Sequence, residues 1–201
     1  MGGDTPRIGV LALQGDVREH RLVLERLGAE VVDVRRPSEL ATVDGLVLPG
    51  GESSAIDKLA RRFGMQEPIR TAIAGGLPVY GTCAGLILLA DRVIGAIDGQ
   101  QTFGGLDVTV TRNAFGAQAE SFEADLDVEG WDRPVRAAFI RAPVVTQVGA
   151  GVRALATLPG GEVVAVEAGN LLGTAFHPEV SGDARFHERF LERVRAAPRR
   201  R

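Results

Sequence analysis

Residues 78–90 read Pro-Val-Tyr-Gly-Thr-Cys-Ala-Gly-Leu-Ile-Leu-Leu-Ala. A short apolar run, Pro78 to Tyr80, meets a Gly-Thr-Cys-Ala-Gly turn and then an apolar helix, Leu86 to Ala90. A strand, a glycine-flanked turn and a helix in that order form a nucleophile elbow, with cysteine in the serine position. The glycines permit the sharp turn, and a cysteine at a helix N-terminus has its thiolate stabilised by the dipole and the free amides. The plainer alternative is a buried cysteine acting as a small hydrophobe beside two turn glycines.

Upstream of the elbow the chain alternates strand and helix. Arg7 to Leu13 is a β-branched apolar run, and Asp16-x-x-Glu19 resembles a capping box for a helix carrying Val17, Leu24 and Leu27 up to Gly28. Glu30 to Val34 is a second strand and Asp44 to Leu48 a third, closed by Pro49-Gly50-Gly51. Ser53 or Ser54 caps the next helix, through Leu59 and Phe63; another begins near Gln66, accepts Pro68 in its first turn and stops at Gly75-Gly76. This spacing predicts βαβ units and a parallel sheet covered on both faces, with ligands at strand C-termini. Downstream of about Asp98 the runs shorten: Leu106 to Val110, Ser121 to Val128, Val135 to Ile140, Val152 to Leu158, Glu162 to Ala168 and Leu171 to Phe176 read as strands, several antiparallel. Asp183 to Ala197 closes the chain as an amphipathic helix with Phe186, Phe190 and Val194 on one face. The expectation is one domain over residues 1–201, a three-layer doubly wound α/β fold whose mostly parallel sheet carries additional antiparallel strands.

Composition excludes several function classes. The 201 residues carry 23 basic and 26 acidic side chains, a net charge of -3, with 45% hydrophobic and 5% aromatic content. A chain of this size buries roughly 70% of its unfolded surface and needs no disulfide or metal to hold a core. One cysteine, no apolar signal core in the opening residues and no apolar run near the ~20 residues of a membrane helix predict a cytoplasmic protein with no membrane span. Interspersed charge offers no basic face to nucleic acid, and the basic run at Pro198-Arg199-Arg200-Arg201 reads as a frayed, solvated end. Lys58 is the only lysine, and no Gly-Lys-Ser/Thr exists, so there is no P-loop. Gly149-Ala150-Gly151-Val152-Arg153-Ala154 fits a relaxed dinucleotide fingerprint, but Pro159-Gly160-Gly161 leaves no room for the helix it requires, so it reads as a turn between strands. One cysteine and scattered histidines give no metal-ligand pair, and no metal or cofactor is expected.

Of the three histidines, His20 and His187 lie in charged helical segments and read as exposed. His177 follows a strand at the sheet edge where Cys83 should sit, and Pro178-Glu179 comes next. In extended backbone, residues two apart point the same way, so Glu179 can hydrogen-bond His177. A nucleophile, a base and an orienting acid are then present together. Pro49-Gly50-Gly51-Glu52-Ser53 follows the neighbouring strand, and one of its amides, with the N–H of Ala84, could form an oxyanion hole.

Gly-Thr-Cys-Ala-Gly, a Pro-Gly-Gly-Glu-Ser loop and a later His-Pro-Glu on a parallel sheet resemble a class I, triad-type glutamine amidotransferase. The ordered segments IGVLALQGDVREH, LVLPGGESSA, PVYGTCAGLILLA, TRNAFGAQAESFEADL, FIRAP and LLGTAFHPEVSGD are similar to the glutaminase subunits of pyridoxal 5'-phosphate synthases, over about Ile8 to Phe190. The first six residues, the end after Ala197, and Val144 to Gly149 fall outside the family pattern. The resemblance implies Cys83 as nucleophile, His177 as base and then acid, and Glu179 as its orienting residue. It implies glutamine contacts at Gly51, Glu52, Ser53, Arg112, Ile140 and Arg141, with Gly51 and Ala84 as oxyanion donors. Without it, Arg112 and Arg141 read as ordinary surface arginines.

The activity implied is hydrolysis of L-glutamine to glutamate and ammonia through a cysteine thioester. The implied partner is a barrel synthase subunit that joins the ammonia to ribose 5-phosphate and glyceraldehyde 3-phosphate, in a complex of twelve glutaminases on twelve synthase subunits. Family glutaminases are poorly active alone, which implies that the partner orders the loops near Gln14 and Gly51. Two alternatives differ in testable ways. A glutaminase serving another amidotransferase differs in its partner, and a non-catalytic module on the same scaffold should lack one of Cys83, His177 or Glu179.

Overall fold

A computed structural model describes residues 5–114 and 121–198. The basic run from Arg199, the opening residues before Thr5 and residues 115–120 of the TRNAFGAQAE segment lie outside the described residues. The order is β1 (Arg7–Leu11), α1 (Val17–Arg26), β2 (Glu30–Val34), α2 (Pro37–Leu40), β3 (Gly45–Leu48), α3 (Ser53–Arg62), α4 (Gln66–Ala74), β4 (Val79–Thr82), α5 (Ala84–Leu89) and β5 (Ala90–Ile94). There follow β6 (Leu106–Thr111), β7 (Ser121–Leu126), β8 (Val135–Ile140), β9 (Val144–Val148), β10 (Arg153–Thr157), β11 (Val163–Ala168), β12 (Leu171–Thr174), α6 (Pro178–Ser181) and α7 (Arg185–Ala196).

The main sheet runs β2-β1-β3-β4-β12-β11-β9-β6-β5, with β10 paired to β11. Its first five strands are parallel. From β12 onward β11, β10, β9 and β6 pair antiparallel, and β5 returns parallel to β6. β7 and β8 form a separate antiparallel pair. The sheet is therefore the mixed, mostly parallel α/β arrangement expected. Residues 149–152 turn between β9 and β10, and Arg153 and Ala154 already belong to β10.

Period-two alternation sorts the parallel strands by face. A Cβ on Gly81 would lie 2.5 Å from the Gly85 carbonyl, one on Gly85 2.1 Å from Leu48 O, and one on Gly173 2.6 Å from Leu86 Cδ1. Gly81 and Gly173 are cross-strand neighbours, so they form a bare patch on which α5 rests almost backbone to backbone. On the opposite face Tyr80 packs against Phe190 and His187 of α7 and His20 of α1. Gly45 makes room there for α7, since a Cβ would lie 2.6 Å from Val194 Cγ2 and 2.9 Å from Phe190 Cζ. Helices thus cover both faces, and the core between them is continuous and largely aliphatic.

α7 is also tied down by charge. Glu167 on β11 is nearly buried and accepts from Arg189 (2.9 and 2.7 Å), Arg153 and Arg193. Burial alone would raise its pKa, but the three guanidinium groups outweigh that and hold it at about 2.

Three local expectations need correction. Asp16 precedes α1 but makes no side-chain cap; its carboxylate turns toward His177 instead. The cap of α3 is Glu52, which accepts from Ser54 N (3.2 Å) and Ala55 N (2.9 Å), so Ser53 and Ser54 are already helical. The apolar run after the elbow stops being helical at Leu89, and Ala90–Ile94 continues as β5.

Candidate active site

The C-terminal ends of β1, β3, β4 and β12 meet on one edge of the parallel sheet, where this architecture binds ligands. Cys83 caps α5 with φ 48° and ψ −101°, a conformation L-residues rarely adopt. Its N–H donates to Thr174 O at 2.8 Å, fixing the elbow to β12. Such backbone strain costs about 1–3 kcal/mol and persists only where surrounding structure enforces it. Asn113 (φ 49°) and Arg141 (φ 43°) are the other non-glycine residues with positive φ among the described residues. All three line one cavity of about 350 Å³.

His177 reaches this cavity from beyond β12. Its N–H donates to Ala138 O of β8 at 2.9 Å, and it caps α6 with Pro178 as the first helical residue. His177 Nδ1 lies 2.7 Å from Glu179 Oε1 and 3.4 Å from Asp16 Oδ2. Glu179 is therefore brought to the histidine by the first turn of α6, not by extended backbone as expected: proline sets a helical φ immediately after His177. Burial works against a charged His177, but hydrogen bonds to Asp16, Cys83 and Glu179 outweigh it and push its pKa up to about 12. Burial likewise pushes the Glu179 carboxyl up, against the pull of His177. The imidazole needs the glycine loop to be bare, because a Cβ on Gly50 would fall 2.4 Å from His177 Cε1.

Gly51, at φ 144°, turns the loop beneath the cavity, where a Cβ would meet Gln14 Oε1 at 2.6 Å. Gln14 Oε1 accepts from Glu52 N (2.9 Å), and Asp16 N donates to Gly50 O (3.1 Å), so the loops after β1 and β3 interlock. Glu52 also accepts from Arg112 Nη2 at 2.9 Å. Partial burial raises the Glu52 pKa, but Ser54, the helix amides and Arg112 together hold it below its ordinary value.

The six residues expected to contact substrate, Gly51, Glu52, Ser53, Arg112, Ile140 and Arg141, all line the cavity with Cys83 and His177. Ile140 O lies 4.0 Å from Cys83 Sγ. Ala84 opens α5, so its N–H is one of the four without an intrahelical acceptor. Arg112 is only 13% exposed, unlike an ordinary surface arginine. It is held by a residue that the sequence reading missed: Gln100 Oε1 accepts from Arg112 Nη1 (2.8 Å), while Gln100 Nε2 donates to Ser53 Oγ (3.0 Å). Nothing local to Gln100 signals this bridge, which depends on two distant segments.

His20 and His187, expected on the surface, are both fully buried. Helical spacing carried a signal for it: His20 falls on the apolar stripe with Val17, Leu24 and Leu27, and His187 with Leu191 and Val194. Among the described residues, Asp16, His177 and Glu179 alone bring three ligand-type atoms within 4.8 Å. Two of these contacts are the acid partners of His177, so the group is the acid–base cluster itself.

The arrangement can support nucleophilic attack by Cys83 with His177 as its proton partner, next to a cavity walled by both signs of charge. Comparison with known proteins agrees in kind. The model of the SNO glutamine amidotransferase family matches residues 10–196. The chain is 65% identical over 191 residues to the pyridoxal 5'-phosphate synthase subunit PdxT of Leifsonia xyli subsp. xyli (strain CTCB07), covering 94% of this chain and 96% of that protein. It is 61% identical over 198 residues to the subunit of the same name from Clavibacter michiganensis subsp. michiganensis (strain NCPPB 382), covering 98% and 95%. A crystal structure of a glutamine amidotransferase superposes with a TM-score of 0.87 at 47% identity, covering 93% of this chain and 98% of the other. With the match running through nearly every element of the fold, the chain belongs to the SNO glutamine amidotransferase family.

Proposed function

We propose that this protein is the glutaminase subunit of a pyridoxal 5'-phosphate synthase, hydrolysing L-glutamine and passing the ammonia to a synthase subunit. The observation that carries the reading is the convergence of Cys83 and His177, the latter backed by Glu179, on a cavity that also holds Arg112 and Glu52, in a chain 65% identical to a pyridoxal 5'-phosphate synthase subunit. Cys83 Sγ attacks the carboxamide carbon and the C=O electrons move to oxygen, where the N–H groups of Ala84 and Gly51 receive the charge. The intermediate collapses to a glutamyl thioester as His177 gives its proton to the departing amine, which leaves as ammonia. Water, deprotonated by His177, then cleaves the thioester to glutamate and returns the thiol. Glu179 keeps the imidazole oriented throughout. Arg112 and Arg141 supply positive charge for the substrate carboxylate and Glu52 negative charge for its ammonium.

The reading includes a complex of twelve glutaminases on twelve synthase subunits in the cytoplasm, where a lone thiol stays reduced. The interlocked Gln14–Asp16 and Gly50–Glu52 loops are the elements through which a docked partner would adjust the oxyanion site. Glutamate release by the purified chain, with and without the synthase subunit, tests all of this. Strong stimulation by the synthase subunit is expected; hydrolysis indifferent to it would keep the glutaminase and assign another pathway, and no hydrolysis in either case would overturn the reading.

A further inference from the structure

Behind the triad, on the sheet face away from the cavity, lies a polar group that the reaction above does not use. His20 is 0% exposed, and burial, together with His187 and His177, pushes its pKa well below the ordinary histidine value. A neutral imidazole has one N–H to give. His20 Nε2 lies 3.0 Å from Thr82 Oγ1 and 3.6 Å from Glu179 Oε1, and Nδ1 lies 2.9 Å from His187 Nε2. The Glu179 oxygen that His20 approaches is the one bonded to His177 at 2.7 Å. Two imidazoles, one from α1 and one from the start of α6, therefore converge on a single carboxylate oxygen.

Charge and burial together select the tautomer. An anionic Glu179 draws the His20 proton to Nε2, leaving Nδ1 to accept from His187 Nε2–H. His187 Nδ1, buried without a partner among the described residues, is then a bare acceptor. The opposite tautomer would strand a buried N–H donor at that atom, the costlier orphan. Among the described residues, the groups that face this cluster include Asp16 and Tyr80 beside Glu179, Thr82 and Tyr80 beside His20, and Arg26 near His187.

We propose that His20 is a positioning residue for glutamine hydrolysis, turning its Nε2–H edge toward the Glu179 oxygen that His177 binds while Thr82 and His187 fix its own ring. The inference rests on the glutaminase reading above. His20 also follows directly on the loop whose Gln14 and Asp16 touch the glycine loop and His177, so one short segment registers three parts of the site.

The test compares His20→Phe and His20→Gln in complex with the synthase subunit. His20→Phe removes the N–H dipole that lies 3.6 Å from Glu179, whose carboxyl then protonates more readily. The expected result is a kcat lower by about tenfold, KM within about twofold of wild type, and an acid limb of the kcat profile moved upward by about one pH unit. His20→Gln, whose amide can still donate, should recover most of kcat and return the limb. A folded His20→Phe with unchanged kcat and acid limb, or a Gln variant no better than Phe, overturns the proposal. Imidazole ¹⁵N resonances of the wild-type protein serve even if the Phe variant fails to fold: His20 should show an Nε2–H tautomer and respond when Cys83 is carbamidomethylated, and silence there also overturns it. A wild-type complex that releases no glutamate would defeat the glutaminase reading itself, which the ¹⁵N experiment separates from the role of His20.

Discussion

In the parallel half of the sheet, β1, β3, β4 and β12 end side by side and deliver Asp16, the glycine loop, Cys83 and His177 through backbone turns directly after each strand. Among the antiparallel strands, Arg112 follows β6 of the main sheet, while Ile140 ends β8 of the separate β7–β8 pair and Arg141 follows it. Arg112 is held at a distance by Gln100 and Glu52. The first group is fixed by strand spacing, elbows and glycines too crowded to accept a Cβ. In the second, Arg112 is fixed by the tips of side chains. The difference teaches a division of labour: bond-making groups are set by main chain, and substrate recognition is set largely by side chains that could be exchanged without disturbing the elbow.

Substitutions should separate the two halves in order of severity. Cys83→Ala removes the attacking atom and should lower kcat in the synthase complex by about 10⁴-fold or more, read as glutamate release. Hydrolysis that survived this change would dissolve the distinction altogether. Arg112→Ala deletes a charge-assisted contact worth about 1.5–3 kcal/mol, so KM for glutamine should rise about 10- to 100-fold with a smaller change in kcat. Gln100→Ala leaves the guanidinium in place but unbraced, and KM should rise about fivefold, corresponding to a neutral hydrogen bond of about 1 kcal/mol. A fall in kcat at unchanged KM in either flank variant would show that recognition and chemistry are not divided this way.

The smallest effect is one of stability, and it too splits by region. His187 is held to about 4 by burial, with a minor contribution from Arg26, so its folded pKa is below its unfolded value of 6.5. The stability from its neutral burial is complete above pH 6.5 and is lost as pH falls toward 4. Glu167 in the flank, held at about 2 against 4.5, contributes stability present above pH 4.5 and lost as pH falls toward 2. Calorimetric Tm against pH should therefore decline in two windows, and His187→Asn should make only the upper one shallower, with His20 supplying the rest of it.

The parallel strands were legible because each ends in a glycine or proline signal and alternates with a helical pattern. β5 was not: Asp91 and Arg92 are exposed, and the strand continues from α5 without a turn. β9 was missed for a similar reason, being half exposed and short. In the site, Cys83, His177 and Glu179 could be read from local motifs, whereas Arg112, Ile140 and Arg141 came only through family resemblance. Their surroundings are assembled from distant segments, and Gln100 shows the same limit. The burial of His20 and His187 is masked in sequence by the charge of their neighbours, although their helical phase carries it.

The bare glycine patch under α5 also sets a timescale. All six residues of α5 are buried, and Gly81 and Gly173 put no side chain of their own between sheet and helix. Beyond its first turn, whose free amides open toward the cavity, its amide hydrogens have no wet side from which to exchange, so they should exchange with solvent only through openings that break the sheet, near the global limit. The loops at Gln14–Asp16 and Gly50–Glu52 cross between strand ends and should exchange through small local openings. The nucleophile is thus anchored in the part of the molecule that opens least often, and the walls that meet its substrate are drawn from parts that open most readily.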